Sequence, residues 1–226
     1  VKVSKPSPYS IMPAPYSHDA ETSGVHQLIT AFSPVFPEFR DLRNVIIPLQ
    51  KDSPIASAEF DALVICSAGL FVFEIKGWRD SFVFRAKDTD ETAKWFVRPN
   101  GAEEAHTVRD PSAQGARKMV YLRSLMPERM RVHYYVFLPC NGVEIDPAMP
   151  AGIVTQADLP YLVRSIRSSS RSNRSPYANL DAGAVDIAAQ MILSLQGDLD
   201  LEGHIRNCEL YAQVKNHSLA DVAVAP

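Results

Sequence analysis

The stretch from Asp61 to Lys76 constrains the fold of this chain more than any other. It contains an apolar run, a Ser-Ala-Gly turn that ends at Gly69, and a second apolar run. Two such runs around a glycine turn predict a β-hairpin. The second strand continues into Glu74 and Lys76 before it stops at Gly77. Charged groups beside a hydrophobic core are costly unless something compensates them, and a divalent metal ion would do so.

Hairpin pairing predicts which of these groups meet. Asp61 begins one strand, so it is expected beside the end of the partner strand, where Glu74 and Lys76 lie. Residues two apart on a strand point to the same face, so Glu74 and Lys76 share a face, and the carbonyl of Ile75 stays available. Two carboxylates and a carbonyl form a hard oxygen set suited to Mg²⁺ or Mn²⁺. Lys76 could position a water, assist its deprotonation or stabilise charge on a phosphate.

Composition limits the class of protein. The 226 residues suit one large domain or a domain with an appendage, and an apolar content of 46% supports a core. A net charge of -3 does not suit a strongly basic nucleic-acid binder, so any polyanion site must be local. Cys66, Cys140 and Cys208 lack zinc spacing and favour a reducing, cytoplasmic location. No apolar run is long enough for a membrane span, so we expect no membrane association.

The chain divides into three parts by pattern. Residues 1–17 are rich in proline and serine and predict an extended arm, residues 18–160 form the core, and residues 161–226 hold an Arg/Ser loop and a C-terminal helical extension packed on the core. The fold class is α/β, with a mixed sheet flanked by helices and additional C-terminal helices. We predict helices over 20–32, 111–125, 158–166 and 181–196, a meander of strands over 43–98, a central strand over 131–138 and a short strand at 153–154.

Several polar residues have both a structural and a functional interpretation. Glu21, in the first turn of a helix, either complements the helix dipole or is an active-site acid. Gln114 is either a solvated helix residue or a site residue, and Arg117 and Lys118 either form a wet face or hold a phosphate. A further group of arginines forms either a solvated loop or an arm that grips the DNA backbone. These arginines are Arg164, Arg167, Arg171 and Arg174.

The combination of motifs resembles a known family. Asp61 followed by Glu74-Ile75-Lys76 at a hairpin end is similar to the PD-(D/E)xK nuclease superfamily, and more closely to the nuclease-related (NERD) domain. The likeness covers residues 18–160. It rests on Glu21 early in a helix, Asp61-Ala-Leu-Val, Gly69-Leu-Phe-Val-Phe-Glu74-Ile-Lys76, Trp78, Trp95, and Asp110-Pro111-x-x-Gln114 at a helix start. The family usually has a glycine shortly after the aromatic residue that follows the lysine, where this chain has Arg79-Asp80-Ser81.

The resemblance implies a restriction-endonuclease-like fold and metal-dependent cleavage of DNA. It implies Glu21, Asp61 and Glu74 as the acids, Lys76 as the catalytic lysine and Gln114 as an active-site helix residue. Asp61, Glu74, the Ile75 carbonyl and Glu21 would then hold Mg²⁺ or Mn²⁺. A helicase-like or defence-system partner is also implied.

Three functions are compatible with the sequence. The first is a metal-dependent DNA nuclease, acting as a homodimer if it cuts both strands. The second is a non-catalytic nucleic-acid-binding module, which intact Asp61, Glu74 and Lys76 disfavour. The third is an interaction scaffold of a larger DNA-processing or defence system, in which the charged hairpin end is only a salt bridge.

Overall fold

The computed structural model describes residues 18–50, 53–87, 93–128, 130–171 and 180–210. The predicted arm over 1–17 lies outside these ranges. The helices are α1 (His18–Phe32), α2 (Pro111–Leu125), α3 (Leu159–Ser170) and α4 (Ala182–Gln196), and residues 201–210 are also helical. The strands are β1 (Phe39–Gln50), β2 (Ser53–Cys66), β3 (Gly69–Ile75), β4 (Ser81–Lys87), β5 (Ala93–Pro99), β6 (His106–Val108), β7 (Val132–Leu138), β8 (Val143–Ile145) and β9 (Ile153–Thr155).

These strands form two mixed sheets. The larger has the order β1-β2-β3-β7-β9 and the smaller the order β6-β5-β4-β8. In the larger sheet, β1, β2 and β3 are antiparallel neighbours, whereas β7 and β9 add in parallel. The predicted central strand, β7, lies between β3 and β9, and β1, which carries Pro48, lies at the edge. The predicted mixed α/β class is therefore confirmed, but the predicted meander is divided between two sheets.

Alternate residues of β3 face different helices. Phe71, Phe73 and Ile75 pack in one buried cluster with side chains of α1 and α3. Leu70 and Val72 pack in another, with side chains of α2 and α4. Glu74 continues this second series, since side chains alternate along a strand. The sheet therefore presents Glu74 to the side on which α2 lies.

The smaller sheet packs on the same side of β7 as α2. Val83, Trp95 and Val97 form a buried cluster with Val136 and Leu138 of β7. Trp78 joins them, and the Trp78 and Trp95 rings lie 6.4 Å apart. Both tryptophans are core residues. Because Glu74 pairs with Val136 in the β3–β7 ladder, it lies between α2 and the smaller sheet.

The connection from β3 to β4 contains a non-glycine residue with a positive φ. Asp80 has a φ of 44°, a left-handed conformation that usually favours glycine. Aspartate is among the few other residues that adopt it readily. Its backbone N–H donates to the carbonyl of Asn141, 3.1 Å away. Asp80 thus makes a left-handed turn in the Arg79-Asp80-Ser81 segment without a glycine.

Two helices show how local signals set helix ends. α2 has the predicted bounds because the Asp110 carboxylate caps it, accepting from the N–H groups of Ser112 and Ala113, and Pro111 fits the first turn. α3 continues to Ser170 rather than ending at Ile166, because Ile166 and Ser170 are buried one turn apart. Arg167 therefore lies on a helix rather than in the predicted loop. In the described part of the chain, no helix is both long and apolar enough to cross a bilayer.

Candidate active site

Asp61 lies where β2 separates from β3. The β2–β3 ladder ends at the pair Ala62–Phe73, one residue short of Asp61. The N–H of Ile75 donates to Asp61 Oδ2, 2.6 Å away, instead of to a backbone carbonyl of β2. This bond fixes the Asp61 carboxylate in the gap between the strands. Asp61 is therefore beside the end of β3, as the hairpin pairing predicted. It does not begin its strand as expected, because β2 already starts at Ser53 and pairs with β1 before it reaches β3.

A break in the alternation of β2 accompanies this separation. Ala58 and Phe60 belong to the same buried cluster as Leu63 and Ile65, so the side-chain pattern skips one position between them. Across β1, the ladder passes over Asn44, which has a φ of 48°. This irregularity lies at Asp61. A carboxylate therefore stands where a regular strand would place another apolar side chain on the face of Leu63 and Ile65.

Glu74 is buried and held by two lysines. Only 6% of the residue's surface is exposed to solvent. Lys76 Nζ donates to Oε1 at 2.8 Å, and Lys118 Nζ donates to Oε2 at 3.0 Å. The first contact confirms that Glu74 and Lys76 share a face. The second contact shows that α2, which carries Lys118, lies against Glu74.

Lys118 is the site residue whose role the sequence did not predict. Besides Glu74, its ammonium donates to the backbone carbonyl of Glu59 at 2.7 Å and lies 5.8 Å from the centre of the Phe60 ring. It thus bridges β2 and β3 beyond their ladder. The spacing Gln114–Lys118 was a usable signal, because residues four apart share a helix face. Gln114 is half-buried in the first turn of α2, on this same face.

The two carboxylates have opposite electrostatic environments. Burial, followed by the charge of Glu74, raises the pKa of Asp61 to about 7, against the opposing effects of Lys76, the Ile75 N–H and Lys118. Burial also opposes ionisation of Glu74. The ammonium groups of Lys76 and Lys118, with their hydrogen bonds, outweigh that effect and keep the pKa of Glu74 below its usual value. The charges of Lys76 and Lys118 therefore do not offset burial and the charge of Glu74 at Asp61, and a cation bound there would favour the ionised form.

The raised pKa of Asp61 predicts a specific pH dependence of stability. Below about pH 7 the native protein holds a proton on Asp61 that the unfolded chain has already released above about pH 4, so stability falls as the pH rises from 5 to 8. Asp61→Asn removes this effect while it keeps an acceptor for Ile75 N–H. In EDTA, raising the pH across this range should lower the free energy of unfolding of wild type by about 2 kcal/mol relative to that of Asp61→Asn.

Denaturant unfolding at pH 5 and pH 8 measures this difference. Asp146→Asn is the matched control, because Asp146 also accepts a backbone N–H, from Ala148. A constant difference between Asp61→Asn and wild type at the two pH values would contradict the environment described for Asp61.

The packing of Tyr134 against α2 sets the distance between this helix and the larger sheet. The Tyr134 hydroxyl donates to the carbonyl of Pro111 at 2.7 Å. A Cβ built on Gly115 would overlap the Tyr134 ring. Burial and the nearby charges of Glu74, Asp61 and Asp110 raise the pKa of Tyr134, so it stays a hydrogen-bond donor. Tyr134 and Gly115 together bring Lys118 within reach of Glu74.

Gly115→Ala is therefore expected to lower the free energy of unfolding by about 1–3 kcal/mol, since the added methyl must displace α2 or the ring. Thermal or denaturant melts measure the change. Gly183→Ala is the control: Gly183 also lies near the start of a helix, and the nearest neighbour of an added Cβ would be 3.4 Å away. The control should be neutral or more stable, as alanine favours helix. Equal effects at both glycines would refute the tight contact.

Glu21 lies near the site on α1. A Cβ on Gly77, just past Lys76, would meet the Cβ of Ala20 at 2.7 Å, so the first turn of α1 packs on this segment. Glu21 is half-buried, on the helix face of Val25. Within the described ranges, no three His, Cys, Asp or Glu side chains are grouped closely enough to hold a metal ion. The structure thus brings Asp61 and Glu74 together, with Glu21 close by but not in one cluster with them.

The predicted basic residues are distributed on both sides of the larger sheet. Arg164 and Arg167 lie on α3, which packs on the opposite side from α2. Arg164 stacks on Tyr161, 4.6 Å from the ring centre, and Arg167 lies 5.6 Å from the Phe36 ring centre. Arg171 is exposed at the end of α3. The Arg117 side chain and the whole of Arg174 lie outside the described part of the chain. Their nucleic-acid contacts stay predictions.

These observations define a class of protein. A mixed sheet flanked by helices, with an aspartate and a Glu-x-Lys pair meeting where two strands separate, is the arrangement of a restriction-endonuclease-like fold. The family model of the nuclease-related domain (NERD) matches residues 24–139, just over half of the chain. The chain belongs to the NERD family, within the PD-(D/E)xK superfamily. The matched span includes Asp61, Glu74, Lys76, Gln114 and Lys118 and begins after Glu21.

No curated protein and no solved structure gives a significant match. The family assignment therefore rests on the domain match and agrees with the fold.

Proposed function

We propose that this chain is a metal-dependent nuclease that hydrolyses DNA phosphodiester bonds. The observation that supports this proposal most is the meeting of Asp61, Glu74 and Lys76 in the gap between β2 and β3. A nuclease-related family supports the same class of activity. A salt bridge alone would not account for a second carboxylate, Asp61, held beside a buried glutamate at an electrostatic cost.

The donor set suits a hard divalent cation. Asp61, Glu74 and the carbonyl of Ile75 would hold Mg²⁺ or Mn²⁺, with Glu21 as a further candidate from α1. When bound, the ion would neutralise phosphoryl oxygens and lower the pKa of a bound water. The raised pKa of Asp61 supports the fit, because a cation removes the repulsion from Glu74.

The protein's own groups would divide the remaining work. Lys76 holds its ammonium 2.8 Å from Glu74 Oε1 and would orient the attacking water, assist its deprotonation or stabilise the phosphate charge. Gln114 would contact substrate from the first turn of α2. The Arg117 side chain and the arginines around α3 are candidates for backbone phosphates, which bind Lys and Arg without reading sequence. We place this activity in the cytoplasm, with a helicase-like or defence partner and a homodimer for double-strand cuts.

One observation favours a second candidate, a non-catalytic nucleic-acid-binding module. Both oxygens of Glu74 already have ammonium partners, so this carboxylate is satisfied by the chain itself. A domain that has given up metal chemistry would keep such ion pairs for stability. Binding of nucleic acid without cleavage would distinguish this module from the nuclease.

A substrate panel tests the proposal. Supercoiled plasmid, linear duplex, single-stranded DNA and RNA are incubated with the protein in Mg²⁺, in Mn²⁺ and in EDTA. We expect cleavage of at least one DNA form with either ion and none in EDTA. Retention of DNA in a gel shift with no cleavage in either ion would favour the binding module. Cleavage that survives EDTA would overturn the metal-dependent mechanism.

A further inference from the structure

The ammonium group of Lys118 is itself a cation bound to the Glu74 carboxylate. Its ammonium lies 3.0 Å from Oε2, whereas the Lys76 ammonium lies 2.8 Å from Oε1. The Lys118 side chain is only 20% exposed, so solvent screens this charge weakly. The Glu59 carbonyl, at 2.7 Å, fixes the ammonium from the other side. Lys118 is therefore a tethered cation with a defined place rather than a mobile surface lysine.

We propose that Lys118 is a positioning residue that limits the site to one divalent ion and weakens the binding of that ion. The inference rests on the proposed nuclease function and concerns how its metal is held. Lys118 donates to one oxygen of Glu74, so this oxygen is less available to a second ion. It also repels the first ion, because both are cations drawn to the same carboxylate.

The charges around the site support a single ion. When Asp61 is ionised, as a bound cation favours, Asp61 and Glu74 carry two negative charges and Lys76 and Lys118 carry two positive charges, so the four side chains then sum to zero. One divalent ion would add two uncompensated positive charges, and a second would add two more. In the described ranges, no third acidic side chain completes a metal-binding cluster with Asp61 and Glu74. Two-metal sites ordinarily need such additional ligands.

The position of Lys118 depends on contacts that are specific to this site. α2 lies close to the sheet because Gly115 faces the Tyr134 ring, and Lys118 follows Gly115 by one turn. The separation of β2 from β3 at Asp61 leaves the Glu59 carbonyl for the ammonium. The Phe60 ring, 5.8 Å away, supports a cation there. These contacts join α2, β2 and β3 at one point.

Binding of Mn²⁺ to the full chain, without nucleic acid, tests the inference. Calorimetry and electron paramagnetic resonance are applied to wild type, Lys118→Met and Lys118→Arg. We expect one ion per chain in wild type, about tenfold tighter binding in Lys118→Met, and affinity near wild type in Lys118→Arg, which keeps the charge. The rise in melting temperature on adding Mn²⁺ should also be larger for Lys118→Met than for wild type.

Two results would overturn the inference: two ions bound per wild-type chain, or equal Mn²⁺ affinity in wild type and Lys118→Met. If wild type cleaves DNA with Mg²⁺ in either case, the nuclease function stands and only the role of Lys118 fails. If neither protein binds Mn²⁺, both the inference and the metal-dependent function fail. Binding by Lys118→Met alone would contradict the single ion expected in wild type and, with it, the metal-dependent function. If Lys118→Met does not fold, Lys118→Arg is compared with wild type and Glu74→Gln. A Mn²⁺ affinity of Lys118→Arg within a few-fold of wild type would support the inference. A Mn²⁺ affinity as weak as that of Glu74→Gln would refute it.

Discussion

Glu74→Gln is expected to lower the rate of DNA cleavage at least about 1000-fold, since it removes a metal ligand and the charge that orders two lysines. The amide can still accept a hydrogen bond, but it leaves the ammonium groups of Lys76 and Lys118 without a counter-ion in a site that water reaches poorly. Stability should fall by about 2 kcal/mol for the same reason. Initial rates on the preferred substrate and denaturant melts measure both effects.

Glu144→Gln is the matched control for this substitution. Glu144 lies on a strand, β8, but is exposed in the smaller sheet. Its replacement should leave both rate and stability unchanged. Cleavage by Glu74→Gln within tenfold of wild type would exclude Glu74 from the catalytic site.

Lys76→Met is expected to lower the cleavage rate by about 100-fold to 10,000-fold at saturating Mg²⁺. Methionine keeps much of the length and apolar stem of lysine but cannot orient a water or stabilise a developing phosphate charge. Metal affinity should not weaken, because the ammonium on Glu74 Oε1 is removed while the carboxylate stays. Rates at several Mg²⁺ concentrations separate this effect from one on metal binding.

Lys87→Met, at the end of β4, is the control for this variant because Lys87 is exposed. It should match wild type. If Lys76→Met lost activity only at low Mg²⁺ and recovered fully at high Mg²⁺, Lys76 would act through the metal rather than on the water or phosphate.

The hairpin and its charged end could be predicted because local signals agree there. Gly69 supplies the turn, the apolar runs set the strands, and an i, i+2 spacing places Glu74 and Lys76 on one face. α2 was equally predictable, as Asp110 and Pro111 form a start signal at its N-terminus. In these elements the sequence pattern and the tertiary contacts favour the same structure.

Other features depend on contacts distant in sequence. The division of the strands into two sheets follows from how Trp78 and Trp95 pack on β7, which no local pattern encodes. The role of Lys118 follows from the height of α2 above the sheet, set by Gly115 and Tyr134 from separate elements. The break in alternation at Asp61 is likewise visible only once β2 is paired on both sides. These are the features that complete the candidate site.

The most direct test of the central claim is reversible metal dependence of cleavage by the purified chain. DNA cleavage is followed in EDTA and again after Mg²⁺ is added in excess, for wild type and Glu74→Gln side by side. We predict that wild type is inactive in EDTA and active after Mg²⁺ is restored, while Glu74→Gln stays inactive throughout. Equal cleavage by wild type before and after Mg²⁺ is restored, or equal recovery in the two proteins, would contradict the account.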